Sequence, residues 1–177
     1  MSKARPFTLR HLLAGGVLCA CASLAQAATE SIVPSKVQEN YGDWLMACVQ
    51  KDGKPLCSLS QNQVDSKSQR RVLGMEVLNL EAGKATGVLL LPFGLLLGKG
   101  VTLQIDDAAA GKPRPFSTCL PGGCIVPFDL DESMLKALRK GKTLKIAATG
   151  IGGKNVQGLN ISLKGFDDAY KRALSIK

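Results

Sequence analysis

The sequence predicts a mostly β fold, an antiparallel β-sandwich or barrel-like domain with one or two short helices. Short apolar runs recur along the chain between turn-forming residues, which is typical of all-β domains. The 19 glycines suit a turn-rich fold better than a helical one. Four cysteines outside the N-terminal segment form two close pairs, which is typical of small domains stapled by disulfides. The 177 residues fit one such domain and a leader.

The N-terminus has the features of a secretory signal. A basic start precedes an apolar stretch over residues 12–24, and small residues follow it. We therefore expect residues 1–27 to be a cleaved signal peptide, with cleavage between Ala27 and Ala28. Two alternatives stay open: the stretch is an uncleaved membrane anchor, although it is short for one, or a lipoprotein is anchored at Cys21.

The remaining chain divides into a leader and one domain. Residues 28–40 are polar and lack a clear period, so we expect them to be a mobile leader before a single domain at 41–177. The run 88–97 is too short to cross a bilayer and is interpreted as a buried strand. The predicted strands are 44–49, 56–64, 71–78, 86–91, 101–105, 116–119, 124–128, 144–149 and 156–163.

Two helices are predicted near the C-terminus. The first covers about 131–140, because acidic residues begin it, basic residues end it and Gly141 follows. The second covers about 167–174, with aromatic and apolar residues at four-residue spacing on one face. Both helices are expected to dock on the sheet rather than to bind a ligand.

Hairpin geometry predicts the first disulfide. Asp52-Gly53 favours a two-residue type I′ turn, and that turn places Cys48 opposite Cys57. The pair falls at a non-hydrogen-bonded site, where facing side chains approach most closely.

A second, tighter loop carries the other cysteine pair. Pro121-Gly122 suits a type II turn in which Gly122 has a positive φ, and this turn brings Cys119 near Cys124. Four cysteines allow three pairings, so non-local pairings stay open, as does a zinc site. The spacing lacks C-x-x-C and no histidine accompanies it, so we predict two local bridges and no metal.

The composition narrows the possible chemistry. The only histidine, His11, lies in the predicted signal, which excludes histidine-based catalytic triads from the exported form. Carboxylate pairs of the glycosidase kind remain conceivable at 106–107, 129–132 and 167–168, although each can be explained by a turn or a helix start. The net charge is +9 for the whole chain and +6 without residues 1–27, which suits anionic surfaces better than nucleic acid, although a solvated surface also explains the basic residues. The basic residues lack the aromatic interleaving of nucleic-acid binders, so no nucleic acid is expected.

The order of short motifs from residue 41 onward resembles the invasion-associated locus B family of bacterial exported proteins. The matching motifs are Tyr41-Gly42-Asp43-Trp44, Cys57-Ser58-Leu59-Ser60-Gln61, Leu91-Pro92-Phe93-Gly94, the run from Gly100 to Asp106, and the run from Ser162 to Gly165-Phe166. The resemblance implies an extracytoplasmic β-rich protein of Gram-negative bacteria, without catalytic residues or a cofactor. One named member is linked to entry into red blood cells.

The motif residues are interpreted as structural rather than as a site, namely Trp44, Pro92, Asp106, Gly165 and Phe166. Our functional hypothesis is a non-enzymatic periplasmic or secreted protein that binds at the cell envelope or a host surface. The alternatives are an envelope hydrolase using a carboxylate pair and a structural envelope or assembly factor. The sequence names no binding residue, partner or oligomeric state.

Overall fold

The computed structural model of the protein describes residues 36–69, 71–156 and 158–176. The prediction of a mostly antiparallel β protein with two helices is confirmed. The elements in chain order are β1 (Lys36–Tyr41), β2 (Trp44–Lys51), β3 (Lys54–Val64), β4 (Arg71–Glu81), β5 (Lys84–Leu91), β6 (Val101–Ile105), β7 (Thr118–Leu120), β8 (Gly123–Leu130), α1 (Glu132–Lys140), β9 (Thr143–Ala148), β10 (Asn160–Ser162) and α2 (Phe166–Ser175). A single 3-10 turn, Leu97–Lys99, precedes β6.

The strands form two antiparallel sheets. Seven strands lie in the order β1-β2-β3-β4-β5-β8-β7, and three lie in the order β10-β9-β6. The larger sheet is open at β1 and β7, which favours the sandwich over the barrel. Both sheets contribute to a single apolar core with α2, in which Trp44, Met75, Val126, Ile161 and Phe166 are at most 1% exposed. The two sheets and α2 are therefore stabilised together by burial of apolar surface.

The folded domain begins earlier than the sequence indicated. Residues 36–40, assigned to the mobile leader 28–40, belong to β1, which pairs with β2 from Lys36↔Val49 to Tyr41↔Trp44. The strand alternates exposed and half-buried side chains without one fully buried residue, so its period-2 signal is weak. The other leader residues, the signal 1–27 and its alternative at Cys21 lie outside the described residues.

The expected buried strand over 88–97 ends at Leu91. Pro92 cannot donate a backbone hydrogen bond to a partner strand, and Gly94 has a φ of +84°. The Phe93 side chain after this break is 60% exposed instead of buried. The predicted strand at 156–163 is also shorter, because only Asn160–Ser162 pairs as a strand.

Both cysteine pairs form disulfides within hairpins. Asp52 and Gly53 have φ of 52° and 74°, as a type I′ turn requires, and Cys48 lies opposite Cys57. Cys119 lies opposite Cys124 in the second hairpin. The type II turn expected there is wrong, because the positive φ falls on Gly123, at +137°.

An ion pair attaches β1 to α2. The Arg172 guanidinium donates to both carboxylate oxygens of Glu39, from Nη2 to one and from Nε to the other, at 2.9 Å in each case. The Tyr41 hydroxyl donates to the same carboxylate at 2.5 Å. These hydrogen bonds, from Arg172 first and Tyr41 second, hold the pKa of Glu39 at about 2, below its ordinary 4.5. The carboxylate therefore stays charged in mildly acidic solution.

We expect Glu39→Gln to abolish one pH-dependent part of the stability. Because the folded-state pKa lies below the unfolded one, the ionised carboxylate stabilises the fold above about pH 4.5, and this is lost progressively as the pH falls towards 2. The urea midpoint of the wild type should therefore exceed that of Glu39→Gln at neutral pH and converge on it in acid. Arg172→Gln should behave alike, and the double variant should lose little more. A gap that widens in acid would contradict this.

Candidate functional site

The motif residues hold the turn at Tyr41-Gly42-Asp43 against the start of α2. Gly165, just before α2, has a φ of +88°, and a Cβ there would overlap the carbonyl oxygen of Tyr41. The amide of Asp43 donates to the Lys164 carbonyl at 3.0 Å. The two backbone segments therefore touch directly, and only glycine permits this approach at position 165.

The side chains of this region also join the two sheets. The indole N–H of Trp44 donates to the Ser162 carbonyl at 2.9 Å, and its ring lies edge-on to Phe166 with centroids 4.9 Å apart. Gln61, which is buried, donates to the same carbonyl at 2.9 Å and accepts from the Ser162 amide at 3.0 Å. The sequence did not indicate this role for Gln61. The side-chain amide of Gln61 therefore links β3 to β10, although these two strands lie in different sheets.

The other two motif residues, Asp106 and Pro92, also have structural roles. Asp106 accepts hydrogen bonds from the backbone amides of Lys142 and Thr143, at 2.9–3.1 Å, and so joins the end of β6 to the start of β9. Pro92 follows Leu91, the last residue of β5, and lines a groove on the surface.

Most of the acidic clusters that could serve a hydrolase hold local structure. Asp107 pairs with Lys145 at 3.1 Å, and Asp131 caps α1 by accepting from the Met134 amide at 2.8 Å. Glu132 and Asp167 both line a cleft of about 400 Å³ beside α1 and α2. In the part of the chain that the structure describes, no three metal-ligating side chains come together.

The Asp167 carboxylate is held by two cations. Arg139 donates to it at 2.5 Å and Lys171 lies 2.6 Å from its other oxygen. Partial burial would raise its pKa, but the hydrogen bonds from Lys171 and Arg139 outweigh burial and lower it. A general acid needs a raised pKa, so Asp167 is unsuited to that role.

Several loops lie together at one end of the molecule. We call it the loop end and define it as residues 64–69, 71–72, 92–100, 113–123 and 149–156. It adjoins the end of β3, where Val64 pairs with Arg71. Two backbone hydrogen bonds join segments 92–100 and 149–156, from Leu96 to Thr149 at 2.8 Å and from Ile151 to Gly94 at 2.9 Å. A third, from Val101 to Arg114 at 2.9 Å, joins segment 113–123 to the start of β6.

The loop end carries most of the large apolar side chains that the described residues leave exposed. Nine such side chains are exposed, and six of them lie here. The most exposed are Ile151 at 73% and Phe93 at 60%. The six are Val64, Val72, Phe93, Leu97, Leu120 and Ile151. Scattered exposed apolar residues are normal, whereas a cluster of this kind marks an interaction surface.

A groove runs from the loop end onto the outer face of the larger sheet. Its wider part, about 980 Å³, is lined by Val64, Val72, Phe93 and Pro121 among others. A smaller hollow of about 290 Å³ shares Asn62, Arg71 and Gly122 with it. Gly74 forms part of its floor, since a Cβ there would lie 2.9 Å from the Asn62 side chain.

The loop end is also basic. Its described residues include five cationic side chains and one acid, Asp65. The Asp65 carboxylate accepts hydrogen bonds from the backbone amides of Lys67 and Ser68, at 3.2 and 2.7 Å. The cationic residues are Lys67, Arg71, Lys99, Arg114 and Lys154. Apolar and basic side chains therefore share one surface, which favours an amphipathic or anionic partner.

The sequence contained a signal for this surface that the interpretation missed. Phe93 lies between Pro92 and Gly94, and Ile151 lies between Gly150 and Gly152. An apolar side chain flanked by turn-forming residues sits at a loop tip, where no strand neighbour can cover it.

The chain is similar to several known proteins. A family model described as "Invasion associated locus B (IalB) protein" matches residues 44–174. An invasion protein B homolog of Brucella abortus (strain 2308) is 41% identical over 138 residues, which cover 78% of this chain and 79% of that protein. Invasion protein B of Bartonella bacilliformis is 34% identical over 145 residues, covering 81% and 77%.

A solved structure shows the same fold. The crystal structure of invasion associated protein B from Bartonella henselae matches with a TM-score of 0.72 and 37% sequence identity, over 78% of this chain and 95% of that one. The resemblance that the short motifs indicated is confirmed. The chain belongs to the invasion-associated locus B family.

Proposed function

We propose that this chain is a non-enzymatic, extracytoplasmic protein that acts by binding at the cell envelope or a host surface, and that the loop end is its binding surface. The concentration of exposed apolar side chains at the loop end carries the proposal. The two disulfides support an oxidising compartment. The relatives are named as invasion proteins, which supports a role in contact with a host.

Exposed apolar side chains gain free energy when a partner removes them from water. Covering a side chain of the size of Phe or Ile contributes about 1.5–3 kcal/mol. Phe93 and Ile151 lie on adjacent loops, joined by the hydrogen bond from Ile151 to Gly94, so one partner can cover both. A surface that gains this much on association is suited to binding rather than to solvation alone.

Retention of the purified oxidised protein on envelope and host-membrane fractions tests this proposal. The Phe93→Ser/Ile151→Ser double variant should lose about tenfold or more of the retention, while its stability stays within about 0.5 kcal/mol of the wild type. The matched control is Val49→Ser/Leu56→Ser, because both side chains are exposed apolar residues outside the loop end, at 44% and 46%. Equal losses from the two variants, or no retention of the wild type, would contradict the proposal.

We also propose export with cleavage between Ala27 and Ala28. The basic start, the apolar stretch over residues 12–24 and the small residues after it support this proposal. The described residues do not include that stretch, and none of their helices is both long and apolar enough to traverse a bilayer. The intact mass and N-terminal sequence of the exported protein should show a start at Ala28 without lipid. A start at Cys21 carrying acyl chains, or retention of residues 1–27, would overturn this assignment.

A carboxylate-dependent envelope hydrolase is the second candidate, because Glu132 and Asp167 line the same cleft. Its general acid would be Glu132, since Asp167 is unsuited to that role. It predicts release of reducing ends from envelope glycans by the wild type and none by Glu132→Gln.

A structural envelope or assembly factor is the third candidate function, and a deletion strain with a barrier defect but normal adhesion would favour it.

A further inference from the structure

The tips of two loops combine apolar and basic side chains in one small area. Gly150 donates to the Lys154 carbonyl at 2.8 Å, so the turn between them carries Ile151 and Lys154 on one tip. Ile151 in turn donates to the Gly94 carbonyl at 2.9 Å, which sets this tip beside Phe93. Phe93, Ile151 and Lys154 are all exposed, and the two loops therefore form one surface.

The 3-10 turn extends the same surface. Leu97 is 44% exposed, and Lys99 follows it within the turn. Neither Lys99 nor Lys154 forms an ion pair with any described residue. The segments 92–100 and 149–156 contain no Asp or Glu. The positive charge of these loops is therefore not neutralised within them.

We propose that these loops dock the protein on an anionic phospholipid bilayer, with Phe93, Leu97 and Ile151 at the boundary between headgroups and acyl chains. Lys99 and Lys154 contact the lipid phosphates. The inference deepens the proposed function and rests on it.

The chemistry of the surface selects a bilayer over a protein. Interfacial membrane binders insert Phe and Leu while Lys and Arg remain at headgroup level. The cores of protein interfaces are instead depleted of Lys. The apolar side chains here lie at loop tips beside turn-forming residues, as shown by Phe93 between Pro92 and Gly94 and by Ile151 between Gly150 and Gly152. Such tips can enter a fluid headgroup layer, with the lysines beside them at the level of the phosphates.

Vesicle co-sedimentation tests the inference with the oxidised exported form. Phosphatidylethanolamine vesicles containing phosphatidylglycerol should bind the wild type about tenfold more than phosphatidylcholine vesicles do, and added salt should reduce this preference. Phe93→Ser/Ile151→Ser should lower binding to both by about tenfold. Lys99→Gln/Lys154→Gln should remove most of the preference for phosphatidylglycerol and leave weak binding. Val49→Ser/Leu56→Ser should bind as the wild type does.

The outcomes separate this inference from the proposed function. The partner is a protein if the wild type binds no vesicles but is retained by envelopes, and if protease treatment of the envelopes abolishes that retention. That result overturns the bilayer and leaves the proposed function intact. Vesicle binding that the loop-end variants and the control lose equally also overturns the inference. If neither vesicles nor envelopes retain the wild type, both fail.

Discussion

Replacing Gly165 by alanine should lower the free energy of unfolding by more than about 2 kcal/mol. Two effects act together at this position. The residue has a φ of +88°, which L side chains rarely adopt, and the new Cβ would overlap the carbonyl oxygen of Tyr41. The backbone of the Tyr41 turn or the start of α2 must then shift, which disturbs the buried contact between Trp44 and Phe166. Urea unfolding of both proteins measures the difference.

Gly53→Ala separates the two effects. Gly53 also has a positive φ, +74°, but no atom lies within 4 Å of the position of its Cβ. It should therefore lose only the conformational term, about 1 kcal/mol. Similar losses for the two variants would show that the close approach of residues 41 and 165 contributes nothing.

Replacing Cys57 by serine should cost about 2–5 kcal/mol of stability. The bridge to Cys48 lies at the edge of the core, with Cys48 3% and Cys57 9% exposed. The substitution removes the cross-link and leaves a hydroxyl and a thiol in a buried position, where unsatisfied polar groups are costly. Cys119–Cys124 closes a separate hairpin and should remain intact.

Denaturant unfolding and non-reducing peptide mapping check this expectation together. Cys48→Ala/Cys57→Ala is the control, because it removes the bridge without burying a hydroxyl, and it should be less destabilised than Cys57→Ser. Mapping should find one free thiol in Cys57→Ser, at Cys48. A link from Cys48 to Cys119 or Cys124, or four free thiols holding zinc in the wild type, would refute the local pairing.

Local sequence predicted what local interactions determine. The turn at Asp52-Gly53 fixes the register of the β2–β3 hairpin, so the position of Cys48 opposite Cys57 followed from it. The helix α1 begins after an acidic cap at Asp131 and ends before Gly141, as its sequence indicated. These features depend on residues within a few positions of one another, which sequence patterns capture well.

Features that depend on distant partners were not predicted. Strand β1 is held by pairing with β2 and by Arg172 on α2, far along the chain, and neither appears in its own pattern. The buried Gln61 is satisfied by the backbone of Ser162, 101 residues away. Phe93 was assigned to a strand because its neighbours are apolar, although Pro92 ends that strand. Long-range pairing and loop exposure require the folded arrangement.

The motif residues and the loop end have different roles. Trp44 and Phe166 join the sheets and α2 in the core, and Gly165 permits the close backbone approach beside them. Phe93 and Ile151 contribute little to the core, because they are 60% and 73% exposed. Substitutions in the first group should therefore reduce stability, whereas those in the second should reduce binding alone.

Site-specific photo-crosslinking tests the central claim, that the loop end is the surface which contacts the envelope or host. A photoreactive phenylalanine analogue placed at Phe93, at Ile151 or, as a control, at Val49 leaves the core intact, since all three side chains are exposed. Irradiation with envelopes or host membranes should yield crosslinked products from positions 93 and 151 and few from position 49. Crosslinks from position 49 alone, or equal yields from all three positions, would contradict the assignment of the loop end as the binding surface.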